Sequence, residues 1–213
     1  MSPDPRLKRL LEVMRDQHGC HTVILYGSRT RGDANADSDY DVLGVRDAGP
    51  ALRDARPWEG SFLDAFIYPA SDLLELEPGM DRLAIGEVLL ERDGCGQELL
   101  ARARELASRP VVPLAPDDRQ LRRAWLLKML GRVSGRDARD VEAHYRRAWL
   151  LYQLLEDFFA LRALPYRGPK ESLAWLVLHD PASDAAFRTG LAPGASDEDL
   201  AALVAHVLAT TAA

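Results

Sequence analysis

The chain has few cysteines, few aromatic residues and no excess of positive charge, and these shortages exclude several classes of protein. It contains only 2 cysteines, Cys20 and Cys95, in 213 residues, too few for a disulfide framework or a cysteine-rich metal site. The net charge of −6 disfavours a nucleic-acid duplex as the main partner, because binding the phosphate backbone requires a basic surface. We therefore expect reduced, structural cysteines and no duplex partner.

Long hydrophobic runs are also missing. No segment approaches the roughly 18 consecutive apolar residues that a membrane span requires. The first residues, 1–5, lack the basic-then-apolar order of a secretory signal. A hydrophobic fraction of 47% still allows a substantial core. These features predict a cytoplasmic protein that does not bind membranes.

The first half of the chain alternates strand patterns with helical patterns. The predicted elements are a helix near 7–14, strands near 22–26, 41–46, 62–68 and 85–91, and a helix over 97–107. This order predicts a domain over residues 1–108 in which a small mixed sheet is flanked by helices.

Three prolines within seven residues mark a linker over residues 109–116, because proline favours an extended backbone there. Beyond the linker the apolar residues follow helical spacing. Helices are predicted at 117–133, 138–161, 171–180 and 197–211. Residues 117–213 are therefore predicted to form a helical bundle, and the whole chain to be of the α/β (α+β) class.

The most informative segment follows the first strand. Gly27 and Ser28 come directly after an apolar run, where glycine permits a tight turn. The Ser28 hydroxyl and the backbone N–H groups that follow can face an anion, especially if residues 29–32 form a helical turn. Arg31, and to a smaller extent Arg29, is a candidate to bind triphosphate oxygens.

Two carboxylates, Asp39 and Asp41, stand two residues apart at the start of the second strand. Side chains at i and i+2 of a strand share a face, so both can bind one cation or a cation pair while Tyr40 faces away. Asp64 lies within another apolar strand pattern, where a charge needs a metal or a partner, and it is the carboxylate expected to be most buried. Such oxygens, together with substrate phosphates, are the ligands of Mg²⁺.

This ordered set of residues resembles the nucleotidyltransferase superfamily, which includes DNA polymerase beta, the aminoglycoside nucleotidyltransferases and the small MNT-type enzymes. The residues that carry the resemblance are Gly27, Ser28, Gly32, Ser38, Asp39, Asp41 and Asp64. It covers about residues 20–70 firmly. The resemblance implies that the Gly-Ser turn holds a triphosphate, that all three aspartates bind metal and act in catalysis, and that the third helps to activate the acceptor hydroxyl.

The implied reaction is in-line transfer of a nucleoside monophosphate from a nucleoside triphosphate to a hydroxyl. ATP is the expected donor on family grounds, and two Mg²⁺ ions are the expected cofactors. The expected nucleotide-binding residues are Gly27, Ser28, Arg31, Ser38 and Lys170. An acidic chain suits a small cationic acceptor such as an aminoglycoside, expected in a cleft between the domains. A homodimer is suggested by family analogy alone.

Lys170 follows a Gly-Pro pair at the start of a predicted helix, where a cation opposes the helix dipole. Similarity to bacterial two-domain nucleotidyltransferases implies that it approaches the nucleotide or the acceptor, and a surface role is equally consistent. Glu142 and His144 are candidate general bases, although single acids and histidines on helices are more often surface or packing residues.

Two other functions stay open. One is a protein AMP transferase of the MNT antitoxin type, which usually occurs as a shorter chain beside a separate helical partner. The other is a non-catalytic or nuclease-like regulator built around the helical half. Arg139 and His144 match the Arg-x4-His spacing of HEPN-type ribonucleases, a match that an arginine-rich chain also produces by chance.

Overall fold

The computed structural model describes residues 5–32, 35, 38–137 and 139–209. The chain divides into two compact units, Met1–Arg109 and Pro110–Ala213. The first unit contains a mixed sheet with helices, and the second is helical. The predicted class, a small mixed sheet flanked by helices followed by a helical region, is confirmed.

Five strands form one sheet in the N-terminal unit. They are β1 (Thr22–Tyr26), β2 (Tyr40–Arg46), β3 (Leu52–Trp58), β4 (Ser61–Pro69) and β5 (Glu87–Leu90). Their order in the sheet is β3-β4-β2-β1-β5. Strands β2 and β4 are parallel, and the other neighbouring pairs are antiparallel.

Helices flank the sheet and make up the second unit. Those of the N-terminal unit are α1 (Pro5–Asp16), α2 (Ser28–Arg31) and α3 (Cys95–Ser108), with 3-10 helices at Ala70–Leu73 and Met80–Ile85. Those of the C-terminal unit are α4 (Pro116–Val133), α5 (Val141–Leu161), α6 (Pro169–His179), α7 (Pro181–Gly190) and α8 (Asp197–Leu208). None of the helices in the described ranges has the length and apolar character needed to cross a bilayer.

Both faces of the sheet are covered, and this separates buried apolar side chains from the polar ones of the site. One face packs against α1, and Leu63, Ala65 and Ile67 of β4 are fully buried there. The other face packs against α3 and the 3-10 helices. Asp64 and Phe66 point to this second face, as strand alternation predicts.

Besides the two 3-10 helices, one strand and one helix were not predicted from the sequence. Strand β3 is the edge of the sheet and contains Pro57, which an edge strand tolerates because one side of its backbone needs no partner strand. Helix α7 is short and begins at Pro181, and the side chain of Asp180 accepts a hydrogen bond from the Ser183 N–H at its start. Strand β3 lacks a continuous apolar run, and Phe187 is the only large apolar residue of α7.

Some boundaries also differ from the predicted ones. Strand β5 begins at Glu87 rather than 85, because Ile85 belongs to a 3-10 helix. Helix α5 begins at Val141 rather than 138, because the Asp140 side chain caps it by accepting from the Ala143 N–H. Residues 138, 210 and 211, which the predicted helices included, lie outside the described residues.

The C-terminal unit has its own core, centred on α5 and including Leu126, Leu154, Phe158, Phe187 and Leu203. Each of these side chains is at most 1% exposed. The unit therefore buries enough apolar surface to form a hydrophobic core separate from that of the sheet.

Asp157 corrects the expectation that Asp64 is the most buried carboxylate. Asp157 lies in the helical core with 2% of its side chain exposed, against 19% for Asp64. Its carboxylate pairs with Arg122 of α4 and accepts a hydrogen bond from Gln153 Nε2 at 3.3 Å. Position 157 lies within a helix predicted from the sequence, but its burial was not predicted, because pairing between two helices leaves no local sequence signal.

The two cysteines are free, as expected. Cys20 is buried in the core beneath α1, and this burial raises the pKa of its thiol to about 11. A thiol with so high a pKa stays protonated at neutral pH, which agrees with a structural role for Cys20.

Candidate active site

Three strands meet where the predicted carboxylates lie. Asp41 is the register partner of Asp64 across the parallel pair β2 and β4, and of Tyr26 across the antiparallel pair β1 and β2. Asp39 directly precedes β2 and is exposed, and Tyr40 between the two acids is fully buried on the α1 face. The sheet thus brings Asp41 and Asp64 side by side, with Asp39 close in sequence.

The electrostatics of Asp41 reflect this crowding. Partial burial raises the pKa of Asp41, and the charges of Asp39 and Asp64 raise it further. The positive charges of Arg82 and Arg31 act in the opposite direction. The net result is a raised pKa, so the ionised form of Asp41 is disfavoured at this point of the sheet.

The Gly27-Ser28 turn lies directly against this carboxylate. Gly27 has φ 79°, and a Cβ atom at this position would overlap the Oδ2 atom of Asp41. Only glycine therefore fits, both for its backbone conformation and for the close approach. The helical turn considered for residues 29–32 is present one residue earlier as α2, which begins at Ser28 and ends before Gly32, a residue with φ 83°.

The arginines of α2 have different surroundings. Arg29 Nε donates to the backbone carbonyl of Asp39 at 3.0 Å, and its Nη2 donates to the carbonyl of Ser38. Its guanidinium also lies 3.6 Å from the ring centroid of Tyr40. Arg29 therefore fixes the backbone that carries Asp39, whereas Arg31 adds positive charge that lowers the pKa of Asp41.

Ser38, a predicted nucleotide-binding residue, has its hydroxyl in a local turn. Ser38 Oγ donates to Asn35 Oδ1 at 3.1 Å and accepts from the Asn35 N–H at 2.9 Å. Its carbonyl accepts from Ser61 Oγ of β4 at 2.6 Å. These contacts connect the approach to β2 with the start of β4, so Ser38 has a structural part that the sequence analysis did not include.

Asp64 has a partner that sequence reasoning missed. Arg53 of the edge strand β3 donates from Nε to Asp64 Oδ1 at 2.6 Å and from Nη2 to Oδ2 at 2.8 Å. The arginine side chain is 55% exposed and the aspartate side chain 19%. The neutralising partner that Asp64 was expected to need is therefore, in this structure, an arginine. Because strand β3 was not predicted, the sequence analysis could not predict the contact between Arg53 and Asp64.

Arg82 is a second arginine that the sequence analysis did not single out. Its guanidinium lies 5.4 Å from the ring centroid of Tyr26 and 5.2 Å from that of Phe66. It comes from the 3-10 helix that precedes β5, so only tertiary packing brings it near Asp41. Burial raises the pKa of Tyr26 to about 12, which keeps its hydroxyl protonated beside the acids.

The fit of a divalent metal can be judged from these donors. Among the described residues, no three acidic, histidine or cysteine side chains are close enough together to hold a metal ion. No described side chain pairs with the carboxylates of Asp39 or Asp41, while Asp64 is held by Arg53. Hard oxygen donors and the like-charge repulsion on Asp41 suit a divalent cation, and Asp64 could join them on release from Arg53.

The other predicted residues belong to the C-terminal unit. Lys170 is exposed, in the first turn of α6 directly after Pro169. Glu142 accepts from Arg146 Nε at 2.7 Å on the surface of α5, and His144 is exposed on the same helix. The Arg139 N–H donates to Asp137 Oδ1 at 2.7 Å just before that helix. Roles for these residues at the carboxylates, and an acceptor cleft between the domains, stay predictions.

Comparison with known families identifies the region that contains the carboxylates. Residues 7–78 match the model of the nucleotidyltransferase domain family. The matched region includes the Gly27-Ser28 turn and the aspartates at 39, 41 and 64. The resemblance predicted from the motifs is therefore confirmed for this part of the chain. The match supports nucleotidyl transfer as the general reaction and a transferase as the class of enzyme.

Among solved structures, the chain is similar to a nucleotidyltransferase-like protein from Exiguobacterium sibiricum. The two are 13% identical, and the similarity covers 95% of this chain and 74% of that chain with a TM-score of 0.42. A TM-score at this level does not establish a shared fold. No curated protein sequence matches the chain significantly.

Proposed function

We propose that the nucleotidyltransferase domain over residues 7–78 transfers a nucleoside monophosphate, with ATP as the donor, to a hydroxyl of a small acceptor molecule. The observation that carries this proposal is the register of β2 and β4, in which Asp41 pairs with Asp64. The close approach of Gly27 to Asp41 adds a turn at the same point. An acidic pair beside a glycine turn is suited to a nucleotide whose phosphates bring their own cations.

The residues of the chain divide the work of this reaction. Ser28 and Arg31 bind the triphosphate through a hydroxyl and a guanidinium. Asp39, Asp41 and Asp64 would hold divalent metal, expected to be two Mg²⁺ ions because the donors are carboxylate oxygens. When bound, the metal stabilises negative charge on the attacking and leaving oxygens.

Proton transfer is assigned to Asp64. The carboxylate of Asp64 accepts the proton of the acceptor hydroxyl as the hydroxyl oxygen attacks the α-phosphorus. The new bond from that oxygen to phosphorus forms while the bond from phosphorus to the bridging oxygen of the β-phosphate breaks. Pyrophosphate leaves, and the acceptor carries the nucleoside monophosphate.

The acceptor is proposed to be small and cationic, with an aminoglycoside as the example. Two observations support this proposal: the net charge of −6 attracts a cation, and a helical unit follows the nucleotidyltransferase domain in the same chain. The antitoxin-type alternative usually lacks such a fused unit, and no described contact favours it.

The test uses ATP, GTP, CTP and UTP labelled at the α-phosphate, with Mg²⁺, an acceptor panel that includes aminoglycosides, and a cell lysate. The expected result is label from ATP on a small cationic molecule, with pyrophosphate released in equal amount. Label on a lysate protein would favour the antitoxin-type reaction instead. Absence of label from all four nucleotides would contradict the proposed function.

A further inference from the structure

The ion pair between Arg53 and Asp64 has no part in the proposed reaction, yet it uses both oxygens of a carboxylate to which that reaction assigns two tasks. The contact is bidentate, with distances of 2.6 and 2.8 Å. A guanidinium in this position competes with a metal ion for the same negative charge, because both cations need the lone pairs of Asp64. Arg53 and a metal-bound Asp64 are therefore alternatives.

We propose that Arg53 is a displaceable counterion, which neutralises Asp64 when no divalent cation is bound and leaves it when a cation enters. Arg53 acts through Asp64, so it is a positioning residue. The inference rests on the proposed function, since it takes Asp64 to be a metal ligand.

The position of Arg53 makes displacement inexpensive in free energy. It lies on the edge strand β3, and its side chain is 55% exposed. Ion pairs with such exposure contribute little to stability, because water competes for both charges. The pair can thus open without disturbing the buried α1 face of the sheet.

The ring of Phe66 offers Arg53 a second contact. The guanidinium carbon of Arg53 lies 4.9 Å from the ring centroid of Phe66, on the same face of the sheet as Asp64. A guanidinium near an aromatic ring is attracted to its face independently of the carboxylate. Arg53 can therefore stay beside the site after it releases Asp64.

The surroundings of Asp64 explain why a counterion is needed without metal. Asp41 is the register partner of Asp64, and Asp39 lies two residues before Asp41, so their negative charges repel one another there. Pairing with Arg53 neutralises one of the three charges. Entry of a divalent cation supplies that neutralisation by another route.

Arg56 provides a matched control on the same strand. Its position alternates to the opposite face from Arg53, where its Nε lies 3.2 Å from Asp54 Oδ1. Its side chain is 39% exposed. Arg56→Gln therefore removes the same charge from β3 without touching Asp64.

The experiment measures Mn²⁺ affinity of the full-length chain without nucleotide, from the electron paramagnetic resonance signal of the free ion. Arg53→Gln is expected to bind Mn²⁺ about twofold to fivefold more tightly than the wild type, and Arg56→Gln to bind it as the wild type does. Arg53→Lys keeps the charge but not the two-point contact, so it should fall between them. The gain should vanish in the double variant Arg53→Gln/Asp64→Asn.

An Arg53→Gln affinity equal to that of the wild type or of Arg56→Gln would overturn the inference, as would a gain that persists without the Asp64 carboxylate. Should Arg53→Gln fail to fold, the comparison of Arg53→Lys with the wild type decides in the same way. Mn²⁺ bound by the wild type with a non-hydrolysable ATP analogue, but with no gain from the Arg53 variants, would refute the displaceable counterion and leave the proposed function intact. No Mn²⁺ bound by any variant, with or without the analogue, would refute both.

Discussion

Each unit of the chain contains an aspartate paired with an arginine from a neighbouring element, and the two pairs have different surroundings. In the helical unit Asp157 is 2% exposed and its partner Arg122 35%. In the sheet unit the corresponding values are 19% for Asp64 and 55% for Arg53. The carboxylate of the first pair is buried in the helical unit, and the second pair opens to solvent beside further carboxylates.

This difference shows that burial and pairing do not by themselves mark a functional acid. Asp157 is the more buried of the two, and its contacts with Arg122 and Gln153 account for it as a structural residue. The sheet unit instead contains Asp41, a partly buried carboxylate whose pKa is raised by burial and by the charges of Asp39 and Asp64. A carboxylate with a raised pKa, close to other carboxylates and to a glycine turn, is a better indicator of a cation-binding site than a buried carboxylate paired with arginine.

The largest effect is expected from removing a carboxylate in the sheet unit. Asp41→Ala or Asp39→Ala should lower the rate of nucleotidyl transfer by at least about 100-fold, because metal stabilisation of the reacting oxygens is worth several kcal/mol. Asp157→Asn should leave the rate per folded molecule nearly unchanged. The transfer rate of each variant, divided by its folded fraction, measures these effects. An equal loss of rate in Asp157→Asn and in the Asp39 or Asp41 variants would contradict a functional difference between the two units.

For stability, the larger effect is expected in the helical unit rather than in the sheet unit. Arg122→Leu leaves Asp157 charged and buried without its main partner, so it should lower the free energy of unfolding by about 3 kcal/mol. Arg53→Gln should change it little, because that pair is open to water. Urea denaturation followed by circular dichroism measures both variants. A larger loss for Arg53→Gln would show that the sheet pair is structural.

A smaller effect is expected from replacing Gly27, in the turn beside Asp41, and it can be compared with the effect of replacing Gly60, a glycine in another turn. Gly27→Ala and Gly60→Ala both place a side chain at positive φ, 79° and 82°, which should cost Gly60→Ala about 1 kcal/mol. At Gly27 the ψ of −150° adds to the cost, because this backbone region is essentially restricted to glycine. Only Gly27→Ala also meets Asp41, since an added Cβ at Gly60 has no atom within 4 Å. Gly27→Ala should therefore be the less stable and lose activity, while Gly60→Ala stays active. Equal behaviour in both assays would argue against the close approach to Asp41.

The smallest effect concerns the charge of Asp41 itself. A carboxyl whose pKa is raised on folding contributes stability below its unfolded pKa, near 3.8, and loses that contribution as pH rises through the folded pKa. Ionised Asp41 thus destabilises the metal-free fold at neutral pH, and Asp41→Asn should unfold at a slightly higher temperature than the wild type.

The difference should shrink as pH falls below the unfolded pKa of Asp41, because the carboxyl is then protonated in both states. Differential scanning calorimetry from neutral pH to below the unfolded pKa, without divalent ions, measures this difference in unfolding temperature. A lower unfolding temperature for Asp41→Asn at neutral pH would mean that the carboxylate is stabilised by its surroundings.

Most of the sheet could be predicted because β1, β2 and β4 are apolar runs ended by glycine or polar residues. Strand β3 could not, since three of its seven residues are charged and a fourth is Pro57. An edge strand needs only one partner and one covered face, so its sequence is weakly constrained.

The same limit applies to the site. The spacing of Asp39 and Asp41 and the Gly27-Ser28 turn are local, so their geometry follows from the backbone. Arg53 and Arg82 come near the carboxylates only through strand pairing and a 3-10 helix elsewhere in the chain. Interactions between distant segments depend on tertiary packing, which a local pattern does not contain.

The central claim is that Asp39, Asp41 and Asp64 together hold divalent metal beneath a nucleoside triphosphate. Anomalous diffraction from crystals grown with Mn²⁺ and a non-hydrolysable ATP analogue tests it most directly. The account predicts manganese peaks bonded to oxygens of all three carboxylates and to the phosphates, with Arg53 turned away from Asp64. Manganese bound elsewhere, or nucleotide bound while Arg53 still holds Asp64, would contradict it.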